Sequence, residues 1–160
     1  MTKKDIHQRF IDQLSSELES ITAAARKTYA TATSAEHRAD NKYDTFKLEA
    51  SFLSRGLAKR VADLTQALES LRMLPLKKLR DTSPIRLGAL VRLKGGDGAT
   101  RHLLFGTAAG GETIMVEGEE VTIVTSGSPL GQAVLGKVAG DTIYVKIGTG
   151  TQSLTVVSVA

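Results

Sequence analysis

Glu36-His-Arg-Ala-Asp-Asn-Lys-Tyr-Asp44 is a polar break between two segments with helical periodicity. Before it, Ile11, Leu14, Leu18, Ile21, Ala25, Thr28 and Ala32 recur in alternating steps of three and four, and Ile6 and Phe10 extend the series toward the N-terminus. After it, Ala50, Leu57, Leu64 and Leu71 stand seven apart, Val61 and Leu68 fill the offset-four positions, and Phe46 and Leu53 widen the stripe. Both series are a/d seams. A helix with so narrow a stripe gains its stability by packing that stripe, and a connection of about ten residues favours an antiparallel hairpin within one chain. The spacing therefore predicts an N-terminal antiparallel α-helical coiled coil over residues 1–74, with its tip at about 34–44. Each helix of about 30 residues would run about 45 Å at 1.5 Å per residue. A parallel coiled coil between two chains would use the same heptads.

Glycine marks the other boundary. Fourteen of the fifteen glycines lie after residue 83, the exception being Gly56, and Pro75 and Pro84 stand between the two regimes. A glycine-poor half followed by a glycine-rich one reads as helical followed by β-rich, so the fold class is α+β. Residues 75–84 form a linker in which Leu76 and Leu79 are expected to dock on the C-terminal domain, residues 85–160. In that domain Ala89–Leu93, Thr100–Phe105, Glu112–Val116, Glu120–Thr125, Thr142–Ile147 and Ser153–Val159 read as strands. Ser128-Pro-Leu-Gly-Gln-Ala-Val-Leu-Gly136 reads as one short helix, with Ser128 as N-cap, Pro129 as the first helical residue and Gly136 just past the end. A small antiparallel sheet with one short helix is the expected architecture.

The charge is modest, +4 overall, and unevenly placed. Residues 1–82 carry 15 Lys/Arg against 11 Asp/Glu, whereas the remainder is balanced, so the whole excess lies in the first half. That favours contact with something anionic or a solvated helical surface laced with ion pairs. With no cysteine, disulfides and thiolate metal sites are excluded, and His7, His37 and His102 have no metal-ligand spacing. There is no apolar signal core and no run long enough to cross a membrane, which points to a soluble cytoplasmic protein.

No enzymatic template fits. Gly106-Thr-Ala-Ala-Gly-Gly111 and Lys94-Gly-Gly-Asp-Gly98 lack the Walker lysine and Ser/Thr and read as β-turns. Ser126-Gly-Ser-Pro129 is no nucleophile elbow, and His102 falls on a strand as an ordinary histidine. The tip is different. Glu36, Asp40 and Asp44 crowd three carboxylates onto one turn. Either Asp40 or Asn41 caps the second helix, or two of the acids hold a hard divalent cation such as Mg²⁺ with a partner completing its ligands. Arg55, Lys59 and Arg60 follow on the second helix as cations that would face RNA or a channel wall, or serve only solubility.

Taken together, hairpin, linker and C-terminal domain resemble the Gre-type (GreA/GreB-like) transcript cleavage and elongation factors of bacterial RNA polymerase. The resemblance is carried by Ser128-Pro-Leu-Gly-Gln-Ala-Val-Leu-Gly-Lys137, then Gly140-Asp-Thr-Ile-Tyr-Val145 and the closing strand. A second match is Asp40-Asn-Lys-Tyr43 leading into Phe52-Leu-Ser-Arg-Gly-Leu-Ala-Lys-Arg60. The resemblance implies an FKBP-like C-terminal domain that docks on the polymerase, here through Ser128, Pro129 and Leu130, and a coiled coil that enters the secondary channel. It further implies that Glu36, Asp40 and Asn41 at the tip assist the polymerase, the two acids sharing its Mg²⁺, so that the polymerase cleaves backtracked RNA. The factor would then be no enzyme itself and would carry no cofactor of its own; its partners would be bacterial RNA polymerase and, indirectly, nascent RNA, with the factor itself a monomer.

Two departures from the family pattern are visible. Aligning Asp40-Asn41 on the family's Glu-Asn pair leaves Glu36 one residue too far upstream, and aligning Tyr43 without a gap puts Ala39 where the second acid belongs. Gly127 stands where these factors often have an acid. The alternatives are accordingly a channel-binding regulator without cleavage stimulation, or an FKBP-like protein-binding module on a dimerising coiled coil. The C-terminal half has one phenylalanine, one tyrosine and no tryptophan, which leaves no aromatic proline pocket for a prolyl isomerase.

Overall fold

The computed structural model describes the backbone of residues 2–34 and 41–160, and their side chains other than those of residues 29, 31–34, 41–50 and 147. The order of elements is α1 (Lys3–Ser34), α2 (Asn41–Arg72), β1 (Leu90–Gly95), β2 (Thr100–Phe105), β3 (Thr113–Val116), β4 (Glu119–Val124), α3 (Pro129–Val134), β5 (Thr142–Ile147) and β6 (Gly150–Val159). The chain divides into two compact units, Asp12–Leu68 and a second formed by Met1–Ile11 with Glu69–Ala160.

Each long helix has 32 residues, about 48 Å of rise. α1 starts where Thr2 and Asp5 close a capping box: the Asp5 N–H donates to Thr2 Oγ1 (3.2 Å), and the Thr2 N–H donates to Asp5 Oδ2 (2.8 Å). α2 ends just before Pro75, which has no N–H to continue it. The helices are antiparallel. The two helices meet in each unit, His7 with Leu71 in one and Glu17 with Arg60 in the other. Ile6, Phe10, Leu14, Leu64, Leu68 and Leu71 are fully buried, as the heptads require, and Leu18, Ile21, Ala25, Thr28, Leu57 and Val61 are half-buried.

Leu53 departs from the expected stripe: it is 57% exposed, whereas Ser54 is half-buried. Seven residues back from Val61 is Ser54, and Leu53 lies about 100° around the helix from it. The seam follows the register rather than the hydrophobicity.

The six strands form one sheet in the order β3-β4-β2-β1-β6-β5. It is mixed, which corrects the expected antiparallel sheet. β2 pairs with β4 in parallel, His102 opposite Val121 and Phe105 opposite Val124, while the other neighbours are antiparallel. The chain leaves β2 for the outer strand β3 and returns through a two-residue turn at Glu117-Gly118, both with positive φ, so β4 arrives beside β2 pointing the same way.

Both faces of the sheet are covered. On one, Val91, Leu93, Leu103, Phe105, Val145 and Val156 form a core with Val134 of α3 and Leu79 of the linker. On the other, Leu104, Val121 and Ile123 are buried, and Ile6 from the first turns of α1 lies beside Leu90, Val116 and Val121. The linker is tied to this unit. Asp81 Oδ1 accepts from the Val159 N–H (2.9 Å), its carbonyl accepts from Ala139 (3.0 Å), and Leu79 is buried while Leu76 is half-buried. Gly88, at φ +79°, lies so close to the Pro75 carbonyl that a side chain there would collide with it.

Candidate functional site

Glu36 and Asp40 lie outside the described residues, as does the geometry between them. Asn41 is the first residue of α2, with its side chain also outside them. The candidate site that can be built residue by residue therefore comprises the cationic stretch of α2 and, separately, the surroundings of α3.

On α2 the three cations are not equivalent. Arg60 is turned across to α1: its Nε and Nη2 both donate to Glu17 Oε1, at 3.1 and 2.7 Å. One acceptor oxygen taking two guanidinium bonds fixes the plane of the head group, so this side chain ties the helices together. Arg55 and Lys59 are exposed, and neither forms an ion pair among the described residues. The Arg55 guanidinium lies over the Phe52 ring, 5.6 Å from its centroid, within cation–π range. Phe52 is itself 58% exposed. Sequence reasoning gave Phe52 no site role; the signal available was a phenylalanine at i−3 to an arginine, off the heptad seam.

In the other unit, Ser128 is the N-cap of α3, in extended backbone, with Pro129 following it. Its hydroxyl does two jobs: Oγ accepts from the Gly131 N–H (3.0 Å) and donates to the Thr125 carbonyl (3.0 Å). The second bond folds the helix start back on the end of β4. Gly131 is then pressed against Thr125, where any side chain would collide with the Thr125 carbonyl oxygen. The Ser-Pro-x-Gly spacing thus has a packing reason. Pro129 is exposed, and Leu130 is half-buried against the sheet core. Ser128, Pro129 and Leu130 line one side of a shallow cavity of about 290 Å³, with Thr122, Val124 and Val145 on the sheet side and Arg101 and Lys146 also lining it. Arg101 donates to Gln152 Oε1 at 3.0 Å; Lys146 is exposed.

A second cavity, about 220 Å³, opens on the opposite face of the sheet between Ile6, Arg92, His102, Glu119 and Ser158. His102 Nε2 lies 3.1 Å from Glu119 Oε2, a close contact without the alignment of a hydrogen bond, and has no hydrogen-bond partner among the described residues. His7, by contrast, is buried with its Nε2 donating to the Leu71 carbonyl at 2.7 Å, a structural histidine joining the two helices. Among the described residues no group of three His, Cys, Asp or Glu side chains is placed to hold a metal ion. No described helix is long and apolar enough to cross a membrane.

The described architecture is a pair of long antiparallel helices followed by a six-stranded mixed sheet with one short helix. Among solved structures, similar chains include Gfh1 of Thermus aquaticus (21% identity over 92% of this chain and 92% of that one, TM-score 0.39). GreA factor homolog 1 (Gfh1) of Thermus thermophilus is similar at 16% identity, covering 94% of each chain, TM-score 0.38. A prokaryotic transcription elongation factor GreA/GreB from Nitrosomonas europaea is similar at 20% identity, covering 61% of this chain and 78% of that one, TM-score 0.37. No protein-family model matches the chain, and no curated protein matches it.

Proposed function

We propose that this chain is an accessory factor of bacterial RNA polymerase that modulates transcript elongation. The observation that carries the reading is the stretch Ser128 to Lys137: it has the residue pattern of Gre-type factors, and it follows two helices of 32 residues each. In this reading the helices, each about 48 Å long, reach into the secondary channel, and the groove beside Ser128, Pro129 and Leu130 docks on the polymerase. Arg55 and Lys59 face RNA or the channel wall, whereas Arg60 serves the pairing of the helices. Glu36, Asp40 and Asn41 assist hydrolysis of backtracked RNA by the polymerase, which supplies Mg²⁺ and the remaining ligands; a second metal there stabilises the attacking and leaving oxygens. The chain itself carries out no catalysis, needs no cofactor of its own, and works in the cytoplasm as a monomer.

A polymerase halted in a backtracked state tests this. Adding the chain should shorten the RNA from its 3′ end, and Asp40→Asn should remove that effect while leaving polymerase binding in place. The second reading is a channel-binding regulator without cleavage stimulation. It is favoured by the spacing of Glu36 and Asp40, which is one residue longer than the family pattern. Under it the chain binds the polymerase and changes its elongation rate, but the RNA is not shortened. The contacts between α1 and α2 within one chain, His7 to Leu71 and Glu17 to Arg60, speak against a dimerising coiled coil.

A further inference from the structure

The two edges of the sheet are built differently. β3, at one edge, has four residues with Glu112 before it and Glu117 after it, and its Met115 carbonyl accepts from Arg9 Nη1 at 3.4 Å. A short strand, flanking charge and a covering side chain keep an edge from recruiting another strand. β5, at the other edge, has six residues, no proline, and an unbroken register with β6 from Thr142 opposite Thr155 to Ile147 opposite Gly150. Directly before β5, the Val156 N–H donates to the Asp141 carbonyl (2.8 Å), so Asp141 and Val156 form a hydrogen-bonded pair. Alternation along the antiparallel ladder then turns the N–H and C=O of Thr142, Tyr144 and Lys146 away from β6. Among the described residues none bonds to these outward groups. The three side chains are exposed, Tyr144 by 71%. The register sets Lys94 in line with Thr155 and Thr142, so Arg92, Lys94, Tyr144 and Lys146 stand on one face of the sheet. β1, β5 and β6 carry these three cations and no Asp or Glu.

We infer that the outer edge of β5 is a docking site for an extended segment of a partner protein, which pairs with it as a further strand and carries acidic residues at alternate positions. Thr142, Tyr144 and Lys146 offer the backbone bonds that give such pairing its affinity. The acids of the added strand share the face of Tyr144 and Lys146, about 4.8 Å away across the new ladder, where opposite charges on facing residues stabilise the pair. Its other residues point to the side of α3, where Leu130 and Ala133 are only partly buried, and small apolar side chains suit that side. A second copy of this chain is a poorer occupant: pairing two β5 edges sets two cationic faces side by side, with no acid on β1, β5 or β6 to offset them. The inference does not rest on the proposed function.

The test uses the full chain and an end-blocked peptide of about eight residues alternating glutamate and valine, with exchange of single backbone amides read by NMR. In the free chain the amides of Ile143 and Val145 should be protected, and those of Thr142, Tyr144 and Lys146 should exchange freely. With peptide at about ten times its Kd, exchange at those three should slow about ten-fold, with β3 unaffected. The glutamate N–H groups face β5 in this pairing, so N-methylation at the glutamates should weaken binding about ten-fold or more, whereas N-methylation at the valines should be tolerated. Tyr144→Pro removes one outward N–H and no ladder bond, and should weaken binding about five-fold. Lys146→Glu, which leaves the backbone unchanged, should weaken it about three-fold or more. Amides that do not respond to the peptide would overturn the docking site, as would equal losses from the two N-methylated peptides. Protection at the three amides that grows with the concentration of the chain alone would assign the edge to a second copy and overturn it as well. Polymerase binding and RNA length do not enter these readouts, so the docking site and the proposed function fail separately.

Discussion

Gly131 has no room for a side chain, because the Ser128 hydroxyl draws the start of α3 onto the Thr125 carbonyl. Gly131→Ala is accordingly expected to cost about 1–3 kcal/mol in chemical denaturation, as overpacking against fixed backbone does. Ser128→Ala, which removes the cap and the tether, should cost about 1 kcal/mol. At the other end of the chain, two hydrogen bonds from Thr2, one from its backbone N–H and one from its hydroxyl, hold the Asp5 carboxyl below its ordinary pKa. A depressed carboxyl contributes stability above its unfolded pKa and loses it as pH falls through the lower folded value, here below about 4. Protection of the Asp5 amide, measured against its intrinsic exchange rate at each pH, should therefore fall in that acid range, and Asp5→Asn should flatten the response. A protection factor that stays constant as the carboxyl is protonated would contradict the capping box. Much of this scale was legible in the sequence. Ser128, Pro129 and Gly136 announced α3 because capping demands those residue types. The direction of the Arg60 head group was not legible, since its acceptor, Glu17, is 43 residues away and nothing local marks the pair.

At the scale of elements, heptad register decides which side chains matter. Leu64→Ala should cost about 2–5 kcal/mol, since Leu64 is fully buried. Leu53→Ala should stay within about 0.5 kcal/mol despite the same hydrophobicity. Equal costs for the two would place Leu53 back in the seam. The Glu17–Arg60 pair is part-exposed, so a double-mutant cycle with Glu17→Gln and Arg60→Gln should return a coupling of roughly 0.2–1 kcal/mol, weakened by salt. The helices and strands were recovered from periodicity and turn residues, but the pairing of β2 with β4 was not. Period-two alternation tells which residues share a face and is silent on which strand lies alongside. One signal was present: Leu103-Leu104-Phe105 and Val121-Thr122-Ile123-Val124 are nearly continuous apolar runs, which belong to strands covered on both faces. The cover on the second face includes Ile6, far away in sequence, and so could not be anticipated from the sheet alone.

For the whole molecule, the division of labour follows from composition. Glycine-rich turns and a linker anchored by the buried Leu79 build the sheet unit with its shallow groove beside α3, and the excess of positive charge lies in residues 1–82. The proposed function uses both: a docking unit and a long pair of helices bearing acids at the turn and cations behind it. The resemblance in residues 128–137 was legible because each of Ser128, Gly131 and Gly136 answers a backbone requirement. The tip was legible only as composition, and its geometry lies outside the described residues. The most direct measurement of the central claim is transcript length and elongation rate for a backtracked bacterial polymerase with and without this chain. The account predicts that the chain binds the polymerase and shortens the halted RNA, and that Asp40→Asn binds equally but leaves the RNA at full length. A chain that neither binds the polymerase nor alters the length or elongation of its RNA would contradict it.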